Sequence, residues 1–433
     1  MHKKILDIAI PSIISNITVP LLGLVDVTIV GHLGSPVYIG AIAVGGMLFN
    51  MIYWIFGFLR MGTSGMTSQA FGGRDLDEVT RLLLRSTGVG LLIAAALLVL
   101  QAPIRDIAFR LIDASPAVQD SARLYFNICI WGAPAVLALY SFSGWFIGMQ
   151  NSRFPMFIAI TQNVVNIAAS LSFVYLCDMR VEGVALGTVL AQYAGVLMAW
   201  LLWRRYYGSL RRRWHWRDFA HRRAMLRFFG VNRDIFLRTL CLVATTVFFT
   251  STGARQGDII LAVNTLLMQL FTLFSYVMDG FAYAGEALGG RFYGAGNLPA
   301  FRRMVRRLFG WGLAVATAFT LLYVLGGQAF LGLLTDEAEV IAAAAGYSHW
   351  TQAIPLVSFS AFLLDGLFIG TTSTRWMLRS IAVATGCFFL LYWAGFEHWG
   401  NHALWLAFLA YLGMRGIMEA LLGRKLLWGK GKD

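Results

Sequence analysis

Twelve apolar stretches dominate the chain, near residues 9–33, 38–62, 82–102, 122–148, 155–177, 183–204, 233–254, 258–284, 304–327, 340–370, 377–396 and 402–422. Crossing a bilayer as a helix takes about 20 predominantly apolar residues. In hydrocarbon the backbone must satisfy its own polar groups, and a run of this length does so as a helix. The expected fold is therefore an all-α polytopic membrane protein with twelve transmembrane helices. Composition points the same way: 58% of the 433 residues are hydrophobic and 13% charged, against roughly 25% charged in an average soluble domain. A soluble enzyme, a disordered chain and a secreted disulfide scaffold are excluded.

The opening Met1-His2-Lys3-Lys4 looks like a signal n-region, but Pro11, Asn16, Pro20 and Asp26 interrupt the apolar run behind it, and no small-residue cleavage site appears. It reads as an uncleaved first helix. Net charge is +13, and the basic residues gather in short connections. With each assigned to its nearer helix end, 30 of the 35 fall on the side of the two termini. The other side holds Arg105, Arg110, Arg123, Arg180 and Arg255. Excess Lys and Arg marks cytoplasmic loops, so both termini are expected in the cytoplasm of a bacterial-type inner membrane. Eleven arginines lie between Arg204 and Arg238, interleaved with Trp214, Trp216 and Phe219. They predict a linker lying on the anionic inner leaflet rather than a nucleic-acid site.

Six spans precede that linker and six come after it. Ala43-Val44 leads to Gln69-Ala70-Phe71-Gly72-Gly73-Arg74, and Ala262-Val263 leads to Glu286-Ala287-Leu288-Gly289-Gly290-Arg291. Ala133-Pro134 precedes Phe146-Ile147-Gly148, as Ile354-Pro355 precedes Phe368-Ile369-Gly370. On this register Glu286 matches Gln69. The pattern predicts two parallel six-helix repeats: a lobe over 1–204, a basic linker over 205–232 and a lobe over 233–433. Secondary transporters are often built this way, with the substrate path at the repeat interface.

A charge at the bilayer centre costs about 2.5–3.5 kcal/mol on the insertion scale, so an intramembrane acid needs a reason. Asp26 lies well inside the first span, close to Pro20 and Gly23. It is the first candidate for binding a proton or cation, the alternative being a structural hydrogen bond to a neighbouring helix. Asn163, Asn166 and Ser170 share one face of the fifth span at i, i+3, i+7, and Thr188 adds a hydroxyl from the sixth. Alone, that stripe reads as helix–helix glue; facing Asp26, it would complete a polar pocket. In the second half, Asp279 and Glu286 are spaced i, i+7, and Asp365 sits in Leu364-Asp365-Gly366. These three either line a cation path or anchor a gate. The four cysteines and seven histidines show no metal-ligand or cofactor spacing.

The run Ser15-Asn16-Ile17-Thr18-Val19-Pro20-Leu21-Leu22-Gly23-Leu24-Val25-Asp26, with Gly31-His32-Leu33 just beyond it, resembles the first helix of multidrug and toxic compound extrusion (MATE) transporters, DinF branch. Leu59-Arg60-Met61-Gly62-Thr63, Asn232-Arg233-Asp234-Ile235, Asp279-Gly280-Phe281-Ala282-Tyr283 and Leu364-Asp365-Gly366 extend the resemblance along nearly the whole chain. It implies a V-shaped pair of lobes, alternating access, and export of small amphipathic, often cationic compounds in exchange for H+ or Na+. It makes Asp26 the coupling carboxylate, with Asn166 and Thr188 as partners and a possible Na+ site among the three. Ser170 stands where that branch usually has an Asp, which removes one charged ligand and favours H+. Asp365 matches an acid used for Na+ in some branches, but 239–252 contains no acid to accompany it.

The expected function is thus multidrug antiport by a monomer that needs no cofactor and engages small organic substrates and the bilayer. A lipid-linked precursor flippase is the alternative; it would carry a basic cavity, and the sequence shows no intramembrane Arg or Lys cluster. A membrane enzyme lacks support, since His32, His349, His398 and His402 stand isolated with no catalytic spacing.

Overall fold

The computed structural model describes residues 1–31, 35–112, 115–213, 221–335 and 337–424. His32, Leu33, Trp214, Trp216 and Phe219 lie outside the described residues. Within those described, sixteen α-helices succeed one another. In the first half they are α1 (His2–Gly31), α2 (Pro36–Ile55), α3 (Phe58–Gly72), α4 (Leu76–Val99), α5 (Gln101–Leu111), α6 (Pro116–Cys129), α7 (Ala133–Gly148), α8 (Arg153–Tyr175) and α9 (Val181–Tyr207). The second half has α10 (Arg222–Arg255), α11 (Asp258–Gly294), α12 (Leu298–Leu334), α13 (Ala338–Ala345), α14 (Ser348–Gly370), α15 (Thr374–Trp399) and α16 (Asn401–Leu422). They supply twelve helices long and apolar enough to cross a membrane, because α2 runs on into α3 and α6 into α7. The run near 340–370 is split between a short helix, α13, and α14.

Packing divides the described chain into residues 14–232 and residues 1–13 with 233–433. The dividing points fall inside α1 and α10, so each of these helices contributes to both units. In the first unit α8 packs on α9 and α3 on α7; in the second α11 packs on α14 and α15 on α16.

The two halves repeat, in the register of the Phe146-Ile147-Gly148 and Phe368-Ile369-Gly370 match and not in that of the Gly-Gly-Arg match. Arg74 and Gly296 both take positive φ, and so do Gln150 and Thr372. Asp75 accepts from Glu78 N at 2.9 Å to start α4, and Asn297 accepts from Ala300 N at 3.1 Å to start α12. A Cβ on Gly144 would sit 2.2 Å from Arg60 O, and one on Gly366 would sit 2.2 Å from Ala282 O. Gly148 meets Ser64 O and Gly370 meets Glu286 O in the same way. All these pairs share one offset, which sets Glu286 opposite Ser64 rather than Gln69. The Gly-Gly-Arg similarity was misleading because α11 continues through Gly289-Gly290, where Gly289 packs on Leu367, whereas α3 ends beside Gly72-Gly73. These close approaches explain the glycines: hydrogen in place of a side chain lets backbones touch, which is how helices associate without a hydrophobic drive between them.

Candidate functional site

The first unit buries a carboxylate. Asp26 of α1 is 4% exposed, and Asn166 of α8 and Thr188 of α9 are buried with it. Thr188 Oγ1 donates to Asp26 Oδ2 at 3.2 Å, with Val184 O as its other acceptor at 3.1 Å. Asn166 Nδ2 donates to Thr188 Oγ1 at 3.1 Å. The long contact between α8 and α9 fixes this pair, and Ala185-Leu186-Gly187 supplies the close approach: a Cβ on Gly187 would meet Ser170 Oγ at 2.2 Å. Asp26 Oδ1 and Asn166 Oδ1 receive no donor from the protein. The pocket therefore offers two oxygen acceptors to an incoming proton or cation.

Ser170 is buried but is packed on Gly187, without a hydrogen-bond partner, and does not reach the Asp26 group. Asn163 is half-buried and donates to Ala159 O of its own helix at 2.9 Å. Of the stripe Asn163, Asn166 and Ser170, the structure brings only Asn166 to Asp26 and Thr188. Two residues that the sequence did not single out join them. Tyr125 and Cys129, one turn apart on α6, are buried within electrostatic reach of Asp26. Gly45 of α2 admits the Tyr125 ring, since a Cβ there would lie 2.3 Å from it.

The second unit places its candidates differently. Asp365 of α14 accepts from two guanidiniums on the same oxygen, Oδ2: Arg238 Nη2 of α10, and Arg415 Nη2 of α16 at 2.5 Å. Both arginines are buried. This corrects the expectation of no basic cluster within the spans: residues 127 and 50 positions from Asp365 converge on it. Two positive charges already occupy the carboxylate that was a candidate for Na+. Asp279, half-buried on α11, interacts with Tyr276, and Glu286 is buried two turns on. Toward the start of α11, Asn264 and Asn401 pair reciprocally at 2.9 Å, and Trp405 Nε1 also donates to Asn264 at 2.9 Å. Among the described residues, no three His, Cys, Asp or Glu side chains gather to hold a metal ion.

Twelve membrane-length helices in two repeated halves, with a buried and partly unsatisfied carboxyl in the first, set the fold and site against which relatives are compared. The chain belongs to the MatE family, whose profile matches it twice, over residues 11–171 and 235–393. It is 38% identical over 427 residues to DNA damage-inducible protein F of Escherichia coli, spanning 98% of this chain and 92% of the relative. It is 20% identical over 356 residues to the probable multidrug resistance protein NorM of Thermotoga maritima, spanning 79% of this chain and 74% of that one. Among solved structures, an outward-facing multidrug resistance MATE family transporter of the MOP superfamily shares the fold. Its TM-score is 0.85 at 20% identity, covering 100% of this chain and 97% of the other. The double profile match supports the two-repeat reading, and membership of this family together with the twelve apolar helices makes this a multi-pass membrane transporter.

Proposed function

We propose that the chain is a multidrug antiporter that exports amphipathic, often cationic compounds in exchange for protons, with Asp26 as the coupling carboxylate. The observation that carries this reading is the Asp26 carboxyl itself. It is buried, Oδ2 is held by Thr188, and Oδ1 stays open for a proton. Asp26 takes a proton from outside, and the loss of its charge changes its pairing with Thr188 and releases the organic cation. Proton release to the cytoplasm restores the charge and the affinity for the next substrate. Each proton supplies about 1.4 kcal/mol per pH unit and about 2.3 kcal/mol per 100 mV. Ser170, tucked against Gly187, adds no second carboxylate, which favours H+ over Na+. The Na+ alternative rests on the two open oxygens, Asp26 Oδ1 and Asn166 Oδ1, beside Thr188.

The excess of basic residues on the side of the termini supports an inner-membrane orientation with both ends cytoplasmic. The flippase reading requires a basic cavity for a pyrophosphate. Arg238 and Arg415 are instead turned onto Asp365, which leaves that reading without support from its expected feature. The test uses purified chain in liposomes, with a pH gradient and a Na+ gradient imposed separately and a cationic dye as cargo. Dye movement under the pH gradient alone supports the proposal. Movement under Na+ alone transfers the coupling to Na+, and movement of a lipid-linked pyrophosphate but no dye overturns antiport in favour of the flippase.

A further inference from the structure

Three arginines crowd into little more than one turn on the outer face of α12, with no acid beside them. Phe301, Met304, Val305 and Leu308 form the buried face of this helix. Arg303, Arg306 and Arg307 lie opposite and exposed, and none of them pairs with an acid among the described residues. Beyond them the same stripe, at helical spacing, carries Gly310, Ala314 and Thr317, all exposed, and then Leu321 and Leu325, 55% and 85% exposed. Gly310 leaves open space, with nothing within 4 Å of its Cβ position. From Gly310 to Leu321 the helix rises about 17 Å, at about 1.5 Å per residue. That is close to the depth of one hydrocarbon leaflet, half of about 30 Å. The face thus passes from cationic to apolar over the length of one acyl chain.

The repeat shows that a span starting here does not call for such a cluster. At the offset that pairs Asp75 with Asn297, Arg81 and Arg85 of α4 match Arg303 and Arg307. There an acid attends them: Glu78 accepts from Arg85 Nη1 at 2.7 Å and lies 4.0 Å from Arg81 Nη1, and Arg85 is buried. In α12 the Glu78 position is taken by Ala300 and the Leu84 position by Arg306. One half neutralises its arginines within the protein; the other adds an arginine and drops the acid. A topology signal counts Lys and Arg and is nearly indifferent to acids, so it does not account for this contrast.

Guanidiniums bind phosphate through paired N–H donors, and basic clusters at the edge of the hydrocarbon attract anionic lipid. We infer that this face of α12 is a binding site for an anionic phospholipid. Arg303, Arg306 and Arg307 hold its phosphate, and one acyl chain lies over Gly310 along the stripe to Leu321. The site depends neither on Asp26 nor on which side of the membrane the termini occupy.

Native mass spectrometry of the purified full chain in an uncharged detergent tests this, with phosphatidylglycerol and phosphatidylcholine as the probes. Wild type is expected to retain phosphatidylglycerol in preference to phosphatidylcholine. Arg303→Gln/Arg306→Gln/Arg307→Gln is expected to bind phosphatidylglycerol about 100-fold more weakly, at about fivefold per arginine near anionic lipid. Arg204→Gln/Arg205→Gln/Arg211→Gln removes three other exposed charges, at and just beyond the end of α9, and is expected to keep wild-type retention. Equal retention of both lipids by wild type overturns the inference, as does unchanged retention in the α12 variant. An equal loss in the two variants reduces the effect to net charge and overturns it as well. Displacement of the lipid by inorganic phosphate would assign the arginines to a soluble anion, with the same consequence. If the α12 variant does not fold, phosphatidylglycerol with a photoreactive acyl chain decides the matter on wild type. Crosslinks within 310–321 are expected, and crosslinks confined to other helices overturn the inference.

Discussion

The Thr188 hydroxyl has one proton and two acceptors: Asp26 Oδ2 at 3.2 Å and Val184 O at 3.1 Å. Its oxygen is held in place by Asn166 Nδ2 at 3.1 Å. Thr188 can therefore serve Asp26 when the carboxylate is charged and turn to its own helix when the carboxyl is neutral. Under the proposed coupling, this switch would transmit the protonation of Asp26 to the packed pair α8 and α9.

That relationship predicts a difference between two substitutions. Thr188→Val keeps the shape and removes the hydroxyl; Thr188→Ser keeps the hydroxyl. A hydrogen bond to a charged group contributes about 1.5–3 kcal/mol, so Thr188→Val is expected to lower transport about 10- to 100-fold. Thr188→Ser should stay within a few-fold of wild type. Dye efflux from liposomes at matched protein density measures both.

The glycine contacts predict paired losses of stability. Gly144→Ala and Gly366→Ala each drive a methyl against a backbone carbonyl 2.2 Å away. Overpacking of this kind costs about 1–3 kcal/mol, so both variants should melt earlier. Gly310 of α12 is exposed and has nothing within 4 Å of its Cβ position. Gly310→Ala is expected to gain up to about 1 kcal/mol from reduced chain entropy. Thermal unfolding in one detergent compares all three.

Asp365 is expected to be structural in its dependence on charge. Asp365→Asn leaves Arg238 and Arg415 buried without their shared carboxylate, and breaking a buried pair in this way costs about 3–5 kcal/mol. The yield of monodisperse protein should fall sharply, and added Na+ should not restore it. Size-exclusion profiles with and without Na+ provide the readout.

Outside the spans, Asp106 of α5 accepts from Arg105 Nε at 3.1 Å and Arg123 Nη1 at 3.2 Å. The hydrogen bond from Arg105, with the charges of both arginines, holds its carboxyl below the usual carboxylate range. Its contribution to stability is therefore present above the ordinary carboxylate value and is lost as pH falls through the lowered one. Asp106→Asn should flatten the acid limb of the melting-temperature profile slightly and leave the neutral region unchanged.

The spans were legible because bilayer crossing imposes a length and a composition that few other folds share. Asp26 was legible for the same reason, as a charge where charge is costly. The register of the repeat was legible at Phe146-Ile147-Gly148 and Phe368-Ile369-Gly370 but not at the Gly-Gly-Arg runs. Gly72-Gly73-Arg74 and Gly289-Gly290-Arg291 look alike, but one closes a helix and the other lies within one, a difference made by the caps Asp75 and Asn297. The arginine cluster was hidden because Arg238 closes the basic run from Arg204, which was expected as a topology signal, and Arg415 stands alone in the last span. Only the packing of α10, α14 and α16 turns them inward. Tyr125 and Cys129 stood among many apolar and aromatic residues of α6, with no local pattern to mark them as neighbours of Asp26.

The central claim is that the Asp26 carboxyl couples proton entry to export, and Asp26→Asn tests it most directly. Wild type and variant are reconstituted side by side, and efflux of a cationic dye is driven by a pH gradient alone. The predicted result is dye movement in wild type and none in Asp26→Asn, with the variant folded and still inserted. Dye movement in Asp26→Asn that remains intact and pH-driven would contradict it.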